Sequence, residues 1–388
     1  MNILLSLGII FISGLVVNKL ISKFKLPEVT GDLIVGVLIG QELLDLVHST
    51  ILSSTGLISN VVLGFVAFQI GRNFSLKEFR KLGKPILWIS VFEASGAWLL
   101  VTFVFFIVLK KPLYMSLLYG AISSATAPAA TMMVIRQYKA KGYFTKVLLG
   151  VVAIDDAWCL IIFAISFAVS KSLYLHSSTN VILVLGKSIL EIIGALILGV
   201  FLGYIFSLFS KYFKRHSNME IYTLSFVLLA VGIADMLHLS LLLTSMALGI
   251  AVVNLQSTSS TFFEVLEDIE SPLYLLFFVL AGANLKLSSL RHIGIIGSTY
   301  FIVRIIGKVA GATLGGYLGK VPKRIRNNIG LGLLPQAGVA LGVALVAKSN
   351  FPEIGNSIFT TIVATTVIYE LMGPIFTKFG LLRSGEIQ

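Results

Sequence analysis

Thirteen apolar segments, parted by short polar connections, take up most of the chain: residues 3–21, 29–47, 54–72, 84–108, 113–135, 144–169, 180–210, 219–237, 239–255, 272–287, 293–318, 327–347 and 354–378. Most reach the roughly 17–25 residues that carry a helix across a bilayer core. The pattern predicts an all-α polytopic membrane protein with 13 transmembrane helices. Residues 180–210 are long enough to run tilted. The first segment lacks a basic leader and a small-residue cleavage site, so it reads as a span rather than a removed signal. Residues 257–270, STSSTFFEVLEDIE, are acidic, and Thr261 with Glu264 has the spacing of a capping box. Phe262, Val265, Leu266 and Ile269 then share one face, which predicts a short interfacial helix separate from the span after it.

Two segments carry their own interruptions. The fifth contains Ser123, Ser124, Thr126, Pro128 and Thr131; the twelfth contains Gly330, Gly332, Pro335, Gln336, Gly338 and Gly342. Proline removes a backbone donor and clashes with the turn before it. In hydrocarbon, unwound backbone is tolerated only inside protein or beside a cavity. These spans lie seven apart, and each is followed by one more span. Spans 2–6 and 9–13 therefore read as two five-helix units of opposite orientation, with paired discontinuous helices that cross near a midplane site.

Ionisable groups inside the spans single out the chemistry. Asp155 and Asp156 sit side by side in the sixth segment, GVVAIDDAWCLIIF. A charge at that depth costs at least ~2.5–3.5 kcal/mol on insertion scales, so such groups need a polar cavity or a cationic partner. In the eleventh segment Arg304 and Lys308 are one turn apart on one face, and Gly307 and Gly311 are suited to close helix contact. A buried lysine needs a carboxylate neighbour, and an aspartate of the sixth segment is the obvious one. For Arg304 three options stay open: snorkelling, pairing with Glu370, or pairing with Glu93. Gln336 and Asn284 are candidates to line a cavity, or to act as polar glue between helices. Lys187 with Glu191 reads as a self-neutralising pair, and Asp235 with His238 as a solvated turn.

Composition and charge sharpen this picture. Of 388 residues, 56% are hydrophobic and 12% charged, with mean hydropathy +0.95. Soluble domains average about 25% charged residues. The net charge of +12 does not point to nucleic acid, because the basic residues fall in short loops. With the N-terminus outside, about 21 of the 30 Lys and Arg lie in inward loops and about six in outward ones. That bias predicts N-out, C-in, and an odd number of spans. A lone cysteine, Cys159, forms no intramolecular disulfide and reads as a packing residue. No Walker A motif is present, so ATP-driven pumping is not expected, and no cofactor is implied.

Backbone carbonyls at a break, with the oxygens of Thr126, Ser124 and Asp156, form a hard donor set suited to an alkali cation. A carboxylate holds either a proton or a metal ion, and competition at one site suffices for antiport. A sodium-coupled symporter of an organic anion is the rival within the same architecture. An intramembrane aspartyl protease needs its aspartates on separate helices, one in a G-x-G-D setting that this sequence lacks. A channel would pass ions faster than any carrier.

Pro27-Glu28-Val29-Thr30-Gly31 with Gly36 and Gly40, SSATAPAAT, AIDDAW, Arg304 with Lys308, and LLPQAGVALG together resemble the monovalent cation:proton antiporter superfamily, in its branch of sodium/proton and potassium-efflux-type exchangers. The likeness covers essentially the whole chain. It implies a secondary active antiporter of a cell membrane, not an enzyme, that exchanges sodium, lithium or potassium for protons. It also implies a homodimer in a lipid bilayer, with a dimerisation domain (residues 1–80 and 173–270) and a core domain (residues 81–172 and 271–388) that moves like an elevator. Carried over, Asp156 is the main cation and proton carrier, and Asp155 pairs breakably with Lys308. Thr126, Ser124, Pro128 and Pro335 belong to the crossing, supported by Arg304, Gln336 and Glu370. Paired aspartates imply electrogenic exchange. The span-5 motif has Ala127 before Pro128, where some relatives carry an acidic residue or a serine, so the choice of cation stays open. With Gln388 ten residues past Lys378, the nucleotide-binding domain of ligand-gated relatives is not expected here.

Overall fold

The computed structural model describes residues 2–23, 28–75, 83–175, 181–213, 215–256, 259–284 and 294–387, and contains helices but no strand among them. The main helices are α1 (Ile3–Lys23), α2 (Glu28–Ile39), α3 (Thr55–Gly71), α4 (Lys84–Phe103), α5 (Leu113–Ser123), α6 (Pro128–Gln137) and α7 (Tyr143–Leu175). They continue as α8 (Val181–Phe209), α9 (His216–Met236), α10 (Leu241–Leu255), α11 (Ser259–Ala283), α12 (Gly294–Leu318), α13 (Gly338–Asn350) and α14 (Gly355–Ser384). Among the described residues seven helices are long and apolar enough to cross a membrane, or eight if the bent pair Lys323–Leu333 and Gly338–Asn350 is one span. Shorter apolar helices occur at Thr55–Gly71, Leu113–Ser123, Leu241–Leu255 and Ser271–Ala283. The chain is a multi-pass membrane protein.

One expected boundary is absent. The acidic stretch does not form a separate interfacial helix: α11 runs without a break from Ser259 to Ala283 through Pro272. A single proline removes one hydrogen bond, which a long helix survives as a local distortion. Pro27 and the side chain of Lys187 lie outside the described residues.

The chain divides into two compact units: residues 1–56, 83–162 and 275–388, and residues 57–82 and 163–274. The second unit is built around aromatic residues. Phe206 packs against Tyr222, Phe226 and Phe262, and the Tyr222 hydroxyl donates to the carbonyl of Phe206 at 2.8 Å. Within the first unit a Cβ at Gly36 of α2 would stand 2.8 Å from the Cα of Gly282 on α11, so the two helices lie backbone to backbone there.

A second stripe of small residues sets the geometry of the first unit. Gly96 on α4 faces Gly307 and Gly311 on α12, and a Cβ on Gly307 would stand 2.8 Å from the Cα of Ala97. Gly315 continues the stripe against Trp88 and Ile89. Without Cβ atoms the two helix backbones touch, as small-residue stripes allow in membranes. The core beside them collects Ile89, Val134, Phe144, Leu148, Val151, Val152, Ala312, Ile329 and Leu333. At the start of α7 the carboxylate of Glu386 accepts from the backbone amides of Phe144 (2.6 Å) and Thr145 (3.0 Å), two of the donors a helix N-terminus leaves open.

A methyl group at Gly311 would collide with the carbonyl of Phe92, whereas one at Gly232 on α9 meets open space. Gly311→Ala is therefore expected to cost about 1–3 kcal/mol through overpacking. Gly232→Ala is expected to gain ~0.5–1 kcal/mol of helix propensity. Melting of the two purified variants in detergent checks the opposite signs.

Candidate functional site

Both interrupted segments are open at their prolines. Helix α5 ends at Ser123 and α6 begins at Pro128, leaving residues 124–127 unwound. The second break runs through residues 334–337, between the 3₁₀ turn Ile329–Leu333 and α13. The two breaks meet. The amide of Ala127 donates to the carbonyl of Pro335 at 2.9 Å, Thr126 Oγ1 to that of Leu333 at 3.2 Å, and Thr131 Oγ1 to that of Gly332 at 2.8 Å. Pro335 in turn packs against Gly373 of α14. Pro128 opens α6; its side chain lies outside the described residues.

Arg304 joins the two breaks. Its Nε donates to the carbonyl of Ser123 (2.9 Å), Nη2 to that of Ala125 (2.6 Å) and Nη1 to that of Leu334 (2.7 Å). The guanidinium also lies over the Tyr369 ring, 4.3 Å from its centroid. Arg304 is fully buried, so it does not snorkel. Both Glu370 oxygens and Glu93 Oε1 lack a hydrogen-bond partner among the described residues, and Glu93 Oε2 is on Lys308, so Arg304 pairs with neither acid. A planar fork of five donors is suited to carbonyls that two unwound strands leave unsatisfied. Gln336 extends the same work: its Nε2 donates to the carbonyl of Ile122 at 2.9 Å, and its amide exchanges hydrogen bonds with Tyr300. These contacts fit polar glue between helices.

One turn along α12, Lys308 uses its three donors on three acceptors. Nζ lies 2.7 Å from Glu93 Oε2 and 3.4 Å from Asp155 Oδ2, and donates to Thr126 Oγ1. Both ion pairs are fully buried. The geometry thus joins the predicted Lys308, Asp155 and Thr126, and it adds Glu93, which the sequence reading offered only to Arg304. Asp156, next to Asp155 on α7, is half-buried.

Three carboxyl oxygens of this cluster, Glu93 Oε1, Asp155 Oδ1 and Asp156 Oδ1, are buried without a hydrogen-bond partner among the described residues. Unpaired buried acceptors are costly, and a proton, a cation or water would each satisfy them. Ser124 is buried nearby in sequence, and its hydroxyl donates to the carbonyl of Ala121 at 2.6 Å. Cys159, on the same helix as the aspartates, is buried and unbridged. Glu370 is buried on α14 with neither oxygen paired among the described residues. Asn284 lines a separate cavity of about 530 Å³ with Gln41, Glu42, Lys348 and Asn356. No group of three or more His, Cys, Asp or Glu suited to a metal ion occurs among the described residues.

A family model described as "Sodium/hydrogen exchanger, transmembrane" matches residues 7–381. The chain belongs to that family. It is 23% identical over 97% of its length to the "Ammonium/H(+) antiporter subunit AmhT" of Alkalihalophilus pseudofirmus, covering 95% of that protein. It is 24% identical to the "Na(+)/H(+) antiporter" of Enterococcus hirae, with 96% of each chain covered. Among solved structures, the sodium proton antiporter MjNhaP1 of Methanocaldococcus jannaschii superposes with a TM-score of 0.79 at 20% identity, covering 98% and 97% of the two chains. That likeness supports the same helical fold. A transporter family, rather than an enzyme family, agrees with a buried charge cluster set beside broken helices.

The contacts of Arg304 yield a test. Lysine keeps the charge but offers a single nitrogen to three diverging carbonyls. Arg304→Lys is expected to lower stability by about 2–4 kcal/mol, the scale of one or two lost charge-assisted hydrogen bonds. A melting temperature equal to that of the parent protein would show that the breaks hold without the guanidinium.

Proposed function

We propose that the chain is a secondary active antiporter that exchanges sodium, lithium or potassium for protons. The observation that carries this reading is the imbalance of the buried cluster. Three carboxyl groups, Glu93, Asp155 and Asp156, share one ammonium, and three of their oxygens have no partner among the described residues. In a low-dielectric setting such a set approaches neutrality only by taking up positive charge, either as protons or as a cation. Both kinds of guest compete for the same oxygens, which is the requirement for antiport.

On this reading Asp156 is the main carrier, and the Asp155–Lys308 pair opens when a cation binds. Thr126 and Ser124 contribute oxygens, and Arg304, Gln336, Pro128 and Pro335 hold the crossing. Two protons against one monovalent cation move net charge, so the exchange is electrogenic. Thirteen spans in two inverted five-helix repeats, N-out and C-in in the plasma membrane, would let a core domain slide like an elevator against a dimerisation domain, in a homodimer. The ammonium antiporter subunit among the relatives favours testing ammonium beside the alkali cations.

The experiment is a reconstitution: purified protein in liposomes under an imposed pH gradient, a pH-sensitive dye inside, and additions of sodium, lithium, potassium, rubidium or ammonium. Cation-driven proton movement supports the antiporter. Cation uptake without proton movement would favour a symporter. Asp156→Asn is expected to abolish the exchange while the protein still melts cooperatively; full retained exchange would sink the assignment. Lys308→Gln is expected to transport still, with a lower melting temperature and a weaker response to membrane potential. If neither changes, the Asp155–Lys308 pair has no part in the cycle.

A further inference from the structure

Lys308 is closer to Glu93 than to Asp155, 2.7 Å against 3.4 Å. The two carboxylates differ in how they are mounted. Glu93 stands on α4, one turn from Gly96, and Lys308 adjoins Gly307 on α12. The glycine stripe presses those backbones together, so the separation of Glu93 and Lys308 is fixed by direct helix contact. Asp155 reaches the ammonium from a third helix, α7. Glu93 also keeps Oε1 without a hydrogen-bond partner among the described residues. Of the other charged groups on these helices, Arg304 is spent on carbonyls, Asp156 is Asp155's neighbour on α7, and Lys84, Lys146 and Lys171 stand near the helix ends, away from the fully buried ion pairs.

We propose that Glu93 is a positioning residue for the exchange: it takes over Lys308 when a cation occupies the Asp155–Asp156 pair. This inference rests on the antiport reading above. A cation that displaces Lys308 from Asp155 would otherwise leave a fully buried ammonium without a counter-ion, a strongly unfavourable state. With Glu93 at hand the ammonium shifts by less than a side-chain rotamer and stays paired. Glu93 therefore acts on the cation only through Lys308. It weakens the hold of Lys308 on Asp155 and so lowers the barrier to cation entry.

The test is a double-mutant cycle read in proteoliposomes as the sodium dependence of proton flux, with Glu93→Gln, Glu93→Asp, Lys308→Gln and the double variant Glu93→Gln/Lys308→Gln. Glu93→Gln leaves the ammonium to Asp155 alone, so the apparent KM for sodium is expected to rise about tenfold, with the smaller effect on maximal rate; tenfold corresponds to ~1.4 kcal/mol. Glu93→Asp, which restores the charge, is expected to recover most of the loss. The double variant is expected to share the KM of Lys308→Gln, because without the ammonium Glu93 has nothing to hold.

A KM in the double variant clearly above that of Lys308→Gln would overturn the proposal, since Glu93 would then ligate the cation itself. So would a parental KM in Glu93→Gln. If Glu93→Gln does not fold, the comparison of the double variant with Lys308→Gln still decides. The same four proteins melted without sodium read the Glu93–Lys308 coupling independently of transport: Glu93→Gln should destabilise the parent more than it destabilises Lys308→Gln, and equal effects would overturn the pairing. Parent protein with no cation-driven proton flux would instead sink the antiport reading and leave that coupling measurable.

Discussion

Backbone that leaves the helix inside a membrane must find its hydrogen bonds within the protein, and this requirement governs the rest of the structure. Two stretches, residues 124–127 and 334–337, are unwound in one unit of the chain. Each break exposes carbonyls to surroundings with no water to satisfy them. The cure is one buried arginine. Arg304 reaches Ser123, Ala125 and Leu334, so a single guanidinium spans both breaks, and its charge is balanced by carbonyl dipoles and the Tyr369 ring rather than by a carboxylate. That choice has a consequence one turn away. Arg304 does not neutralise an acid, so among the described residues the acids of the cluster have Lys308 as their cation.

The helix that carries Arg304 also fixes the ion pair. Gly307 and Gly311 let α12 touch α4 without intervening side chains, which brings Glu93 within 2.7 Å of Lys308. A methyl at Gly307 would stand 2.8 Å from the Cα of Ala97, and one at Gly311 would collide with the Phe92 carbonyl, so either would push the two helices apart. Packing and electrostatics are therefore one constraint here: small residues set the distance, and the distance decides which carboxylate the ammonium prefers.

The sequence was legible where a residue's chemistry admits a single outcome. Pro128 and Pro335 lack a donor, and the chain does break beside them. Asp155 inside an apolar run needed a cation, and Lys308 in another run needed an anion; they meet at 3.4 Å. Legibility failed where the answer depended on which faces of two helices meet. Glu93 was visible as a buried acid, but nothing in its own segment tells whether it faces Arg304 or Lys308. The Gly307–Gly311 spacing announced a close contact, while its partner Gly96 stands about two hundred residues away and emerges only in three dimensions. Arg304 was misjudged for a different reason: carbonyl acceptors belong to the backbone and leave no mark in the sequence. The acidic stretch before Pro272 looked like a helix of its own because charge and proline both mimic a boundary, yet α11 carries them through.

The cluster also bears on why paired aspartates suit exchange. Adjacent residues on a helix point about 100° apart, so Asp155 and Asp156 need not share a partner. Asp155 faces Lys308, while Asp156 has one buried oxygen with no partner among the described residues. With Glu93 the site holds three acids against one base. On the proposed exchange of two protons for one cation, a monovalent cation would leave it one charge short of neutral and two protons would make it neutral, so the two loaded forms would differ by one charge. A membrane potential acts on such a difference at about 2.3 kcal/mol per charge per 100 mV when the charge crosses the whole field. Had Arg304 been paired with an acid of the cluster, that difference would persist but the empty site would be less negative and its pull on either guest weaker. The diversion of the arginine to the broken backbone thus connects the two parts of the site: the helix breaks are satisfied by the charge that the acids go without.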